Sequence, residues 1–183
     1  MTKRATYEDV LNAPENRIAE ILDGELFLSP RPAPPDTLAG SALGMALGGP
    51  FHHARGGPGG WWILFEPELH LRQDVVVPDL AGWRRERMPS MPPEPYFSLA
   101  PDWACEVLSP STERIDRGRK LRIYAAAGVT HAWLVNPVER TLEVLRLAGD
   151  TWTIVTVLTG DDEVRAEPFD AVAFPLAALW EGR

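Results

Sequence analysis

Apolar positions along the chain fall into short blocks, and the spacing inside each block predicts an element. Between Ile18 and Ser29, two apolar runs flank Asp23-Gly24, the dipeptide that most readily supplies the positive φ angles of a two-residue hairpin turn. A β-hairpin is predicted, with Glu20 facing Phe27 across the ladder and Ala19, Ile21, Leu26 and Leu28 sharing its core face. After the loop from Pro30 to Pro35, Asp36 is placed to cap a helix. Its apolar stripe runs through Leu38, Ala42, Leu43, Met45 and Ala46 and stops near Gly48-Gly49. The runs Trp61 to Phe65, Glu68 to Arg72 and Val75 to Trp83 are rich in apolar and β-branched residues and predict strands of one sheet. Five prolines between Met88 and Pro101 mark a surface loop.

Trp103 to Leu108 is almost continuously apolar, the pattern of a strand buried on both faces, and Glu106 alone interrupts it. Downstream, Arg117, Lys120, Leu121, Tyr124 and Gly128 lie at helical spacing, with Gly128 where a helix ends. His131 to Val135 then predicts a strand, so residues 103–135 form a strand, helix, strand unit with parallel strands and a right-handed crossover. Leu142 to Leu147 and Trp152 to Leu158 predict a second hairpin, and Phe169 to Trp180 an apolar closing segment. The class is α/β (α+β): a mixed β-sheet flanked by helices, centred on Trp103 to Leu108, with one hairpin at the N-terminal side and another as a C-terminal extension.

Composition narrows this picture. With 183 residues, 45% of them hydrophobic, the chain is expected to form one domain over 1–183, with a polar segment 1–17 and an acidic extension 137–183. A net charge of -8 argues against a general nucleic-acid coat. Between Ser111 and Tyr124, however, Arg114, Arg117, Arg119, Lys120 and Arg122 outnumber Glu113 and Asp116, forming either a solvated helix face or a local basic surface. The single cysteine, Cys105, has no internal disulfide partner and reads as a small buried hydrophobe. No apolar run suits a signal peptide or a membrane span, so a cytoplasmic setting is expected.

Carboxylates inside apolar strands are costly to bury, and a divalent cation is one thing that offsets the cost. Asp79, in Val77-Pro78-Asp79-Leu80, and Glu106, in Cys105-Glu106-Val107-Leu108, both fit that description. Taken singly, Asp79 also reads as a turn cap and Glu106 as the partner of an arginine. Lys120 shares a helical stripe with Leu121 and Tyr124 and is expected to face the sheet, either reaching the carboxylates or snorkelling to water. In the first case its removal should affect chemistry and leave folding intact.

The strings Glu20-Ile21-Leu22-Asp23-Gly24-Glu25-Leu26, Val77-Pro78-Asp79-Leu80 and Pro101 to Thr112, with Asp116, Arg117, Lys120, Tyr124, Gly128-Val129, Trp133, Val135 and Pro137 after them, resemble the bacterial Uma-two family of restriction endonucleases. The resemblance implies a restriction-endonuclease-like fold, a variant of the PD-(D/E)XK nuclease core. It further implies an enzyme that hydrolyses DNA phosphodiester bonds with Mg2+ or Mn2+. By that resemblance Asp79 and Glu106 are the metal ligands, Lys120 assists the attacking water and Glu20 is a supporting acid. On a nuclease reading Arg114, Arg117 and Arg119 would contact the nucleic-acid backbone, and a homodimer is one expected assembly. Two departures stand out: Leu108 occupies the place of the superfamily's lysine, and Asp36-Thr37 stands where a histidine precedes the first helix. They keep a second reading open, a nuclease-fold module with a binding or assembly role and no catalysis. His52, His53, His70 and His131 lack the spacing of a helical metal site and are expected to be structural.

Overall fold

The computed structural model describes residues 4–181, so the outermost residues of the expected domain, 1–3 and 182–183, lie outside the described residues. A short helix α1 (Tyr7–Leu11) precedes the hairpin of β1 (Arg17–Leu22) and β2 (Glu25–Pro30). The register pairs Glu20 with Phe27, Ala19 with Leu28 and Ile21 with Leu26, and the turn uses Asp23 at φ 56° and Gly24 at φ 83°. The expected core face is only partly right. Ile21 is buried, but Leu26 and Leu28, on the edge strand, remain 38% and 45% exposed. The inward face is the one carrying Glu20, Leu22 and Phe27.

Helix α2 (Pro34–Leu47) starts from Ala33, not from Asp36. Two prolines in the first turn need no hydrogen-bonding N–H there, and Asp36 lies inside that turn, where its charge complements the helix dipole. Its buried stripe is Ala39, Leu43 and Leu47, at a spacing of four; Met45, expected inside, is 71% exposed. A π turn, Gly48–His52, ends the helix.

Strands β3 (Trp61–Phe65), β4 (Leu69–Leu71), β5 (Asp74–Val76) and β6 (Leu80–Arg84) follow, but they do not share one sheet as expected. Proline cannot donate to a ladder, and at Pro78 the chain leaves one sheet and enters another. The first sheet has four strands in the order β2-β1-β5-β4 and holds the hairpin. After the loop 85–102 come β7 (Trp103–Val107), a helical segment comprising α3 (Glu113–Ile115), a π turn (Asp116–Lys120) and α4 (Leu121–Ala127), then β8 (His131–Asn136). Gly128 closes α4 in the left-handed region, at φ 79°. With the terminal hairpin of β9 (Thr141–Ala148) and β10 (Thr151–Thr159), the second sheet runs β10-β9-β8-β7-β6-β3, with β7 interior and parallel to β8. Two short strands, β11 (Glu163–Val164) and β12 (Phe174–Pro175), and a 3-10 turn (Leu176–Leu179) complete the fold.

The six-stranded sheet is covered on both faces, which is why β7 is buried along its whole length. One face packs on α2 and the closing segment, where Phe169 sits among Trp61, Trp103 and Trp133 with ring centroids 4.8, 5.0 and 5.6 Å away. The other face, through Ala81, Trp83 and Ala104, meets the four-stranded sheet and α4. Among the described residues no helix is long and apolar enough to cross a membrane.

Strand β10 is the sheet's outer edge and contains no charged residue or proline, while Ile154, Val155 and Val157 are exposed. Such an edge offers unpaired backbone groups to other chains. Val157 lies opposite Glu143 in the β9–β10 register, so a lysine there gains a cross-strand partner. Val157→Lys should leave the melting temperature essentially unchanged and reduce self-association in light scattering. More scattering than wild type would contradict this account of the edge.

Candidate active site

Period-two alternation along β7 sends Trp103, Cys105 and Val107 toward α2 and leaves Ala104 and Glu106 on the α4 side. Glu106 is 3% exposed. Facing it is a stripe of three residues spaced by four, Asp116, Lys120 and Tyr124. The widened turn that carries the stripe, in which the Leu121 N–H donates to the Asp116 carbonyl, is of a type frequent at functional sites.

Lys120 Nζ lies 2.9 Å from Glu106 Oε1 and donates to Glu106 Oε2 at 2.9 Å. It is also 3.1 Å from Glu20 Oε1 and 3.7 Å from Asp116 Oδ1, and it donates to the Val77 carbonyl at 3.1 Å. The Tyr124 hydroxyl donates to Glu106 Oε1. The segment Val77-Pro78-Asp79 ties these parts together. The Val77 N–H donates to Glu20 Oε1 at 2.7 Å, and Asp79 Oδ2 accepts the Val107 N–H at 2.6 Å. Glu20, Asp79, Glu106, Asp116 and Lys120 therefore line one cavity of about 350 Å³. Its mouth is formed by the loop Pro30 to Ala33 and by Ser109, Ser111 and Thr112.

Four acids around one lysine leave an excess of negative charge. Burial pushes the Asp79 carboxyl up to about 7, against the opposing pull of Lys120 and the Val107 N–H. Burial also holds Glu106 well above the usual carboxylate range, with Asp116, Asp79 and Glu20 adding to the rise and Lys120 opposing it. Asp116 is raised for the same first reason. Desolvation alone would lower the Lys120 ammonium, but Glu106, Glu20, Tyr124 and Asp116 together hold it well above its ordinary value. The lysine stays charged.

A carboxyl that binds its proton more tightly in the folded chain destabilises the fold as that proton is lost. The contribution of Asp79 is thus fully present below its unfolded value of 3.8 and is lost as pH rises through about 7. Metal-free protein should accordingly melt at a lower temperature at pH 8 than at pH 6, and added Mg2+ should restore more stability at pH 8 than at pH 6. A melting temperature that rises over this interval without metal would contradict it.

The donor set suits a hard divalent cation, because the carboxylates of Glu20, Asp79, Glu106 and Asp116 line a cavity in which Lys120 is the one buried cation among the described residues. Among the described residues no three His, Cys, Asp or Glu side chains are grouped to hold a metal by themselves.

Sequence reasoning missed Asp116 and Tyr124 as members of this cluster, although their spacing from Lys120 was readable. Asp36 lines the cavity at the position where a histidine was expected. Of the arginines, Arg117 is held by Glu113 at 2.8 Å and by both oxygens of Glu143, and Arg119 by Glu25 at 2.7 Å. Arg114 is exposed. The histidines lie outside the cavity: His52 accepts the Ile63 N–H, His70 stacks on Tyr96 at 3.8 Å and His131 approaches Glu167.

This architecture, a mixed sheet whose central strand delivers a carboxylate to a lysine on the following helix, is that of a nuclease-like α+β fold. Residues 4–177 match the model of the Uma2 family, described as "putative restriction endonuclease", and the chain belongs to that family. Among solved structures it is similar to one from Anabaena variabilis described as "a putative nuclease belonging to DUF820", with a TM-score of 0.78 and 21% identity over 96% of this chain and 97% of that one. At that identity the likeness is one of fold. No curated protein matches the chain.

Proposed function

We propose that this protein is a nuclease that hydrolyses DNA phosphodiester bonds and depends on Mg2+ or Mn2+, held by Asp79 and Glu106. The observation that carries the reading is the convergence of both carboxylates and Lys120 on one cavity with too little positive charge of its own. When bound, such a cation activates water and neutralises charge developing on the phosphate. The chain's own residues prepare that event. Lys120 and Tyr124 fix the Glu106 carboxyl, and the Val107 N–H fixes Asp79. Glu20 supports Lys120 from the hairpin and, through the Val77 N–H, holds the strand-connecting segment in place. Ser109, Ser111 and Thr112 offer hydroxyls at the cavity mouth to a phosphate, and exposed Arg114 offers charge to the flanking backbone.

One observation favours the non-catalytic alternative: the Lys120 ammonium is enclosed by Glu20, Glu106 and Asp116 and is 3% exposed. A single assay separates the two readings. Supercoiled plasmid incubated with purified protein should be nicked in Mg2+ or Mn2+ and remain intact in EDTA. Intact plasmid in the presence of correctly folded protein and either cation would favour the binding module.

A further inference from the structure

Tyr124 is fully buried, and its hydroxyl donates to Glu106 Oε1. Lys120 approaches both oxygens of Glu106, so Oε1 receives the tyrosine in addition to the lysine. The terminal torsion of a glutamate is soft, and without a second anchor the carboxyl can exchange its two oxygens. We propose that Tyr124 is a positioning residue for the cation site. It pins Oε1 of Glu106 and thereby leaves Oε2 as the oxygen with spare capacity for a cation. Tyr124 touches neither substrate nor reacting atoms, since it lies behind Glu106 and does not line the cavity. The inference rests on the reading of Asp79 and Glu106 as cation ligands, and it deepens that reading by naming what orients the second ligand.

The other tyrosines provide a contrast within the same chain. Tyr7 and Tyr96 lie around His70, in a cluster apart from the cavity. They should be indifferent to a cation held by Asp79 and Glu106.

The test is a titration with Mn2+ alone, following the electron paramagnetic resonance of the free ion, on wild type and Tyr124→Phe, with thermal melts of both. Phenylalanine fills the same buried space, so the variant should melt cooperatively. Partners that orient metal ligands are typically worth 10–100-fold in affinity, and the Mn2+ dissociation constant should rise by about that factor. A constant within about twofold of wild type would overturn the role of Tyr124. A second measurement does not depend on the variant folding. In wild-type protein carrying 3-fluorotyrosine, Tyr124 is assigned by elimination using Tyr7→Phe and Tyr96→Phe. Its fluorine resonance should move on addition of Mg2+ while the other two stay fixed, and an unmoved Tyr124 resonance would likewise refute the proposal. Wild type that binds no Mn2+ removes the cation site and this inference together. Normal wild-type binding matched by Tyr124→Phe removes the inference alone.

Discussion

Lys120→Ala should destabilise the fold by about 3–5 kcal/mol, the usual cost of removing one partner from a buried ion pair. The ammonium is 3% exposed and is the cation nearest to Glu20, Glu106 and Asp116, which are themselves 4%, 3% and 4% exposed. Its loss leaves these acids facing one another in a desolvated space, where they must take up protons or admit water. For a chain of this length each kcal/mol moves the melting temperature by about 2–4 °C, so a fall of roughly 10 °C is expected. Denaturant unfolding will measure it. Lys120→Met combined with Glu106→Leu, Glu20→Gln and Asp116→Asn should recover much of the loss, because it removes the lysine together with the three acids it faces, and an uncharged replacement of a buried ionic cluster is often neutral or better. A Lys120→Ala protein within about 1 kcal/mol of wild type would show that the acids rearrange at little cost.

Glu106→Gln should have the opposite profile, with cleavage reduced by at least about 10²-fold and little change in stability. Glutamine preserves the shape of the side chain and an oxygen able to accept from Lys120 and Tyr124, while removing one charge from a crowded acidic cavity. On the proposed reading it loses an anionic ligand, and effects of that kind appear in the transition state more than in folding. The measurement is kcat/KM on plasmid or oligonucleotide DNA beside a denaturant melt. Retained cleavage in a folded Glu106→Gln protein would remove Glu106 from the cation site. Together the two substitutions separate a residue that holds the site together from one that acts in it.

Much of this could be read from the chain itself. The hairpin register followed from Asp23-Gly24, and the burial of β7 from its composition, because both are local patterns with one geometric solution. What failed was long-range. Alternation in the hairpin does not say which face is covered, so it favours Leu26 and Leu28 as the inward pair, whereas the covered face carries Glu20. The run from Val75 to Trp83 looked like one strand because its composition is continuous. Only Pro78 hinted that it passes between sheets. Likewise the stripe predicted that Lys120 faces the sheet, but helical periodicity carries no information on depth. Its enclosure by three acids, and the cost of its removal, depend on residues up to a hundred positions away. Asp116 and Tyr124 were visible at four-residue spacing on either side of it; their meaning came only with Glu106 in place.

The enclosure of Lys120 also bears on how such a chain could lose its chemistry over evolutionary time. Deleting Lys120 alone strands three buried acids, whereas exchanging the set for uncharged side chains removes the penalty. Intermediates that have shed only the lysine are therefore the least fit in folding terms, whatever the cavity does chemically. Related chains that replace Lys120 should then also replace Glu20, Glu106 and Asp116, with few that lose the lysine alone. A broad population of single replacements would mean that the cavity tolerates charge far better than its burial implies.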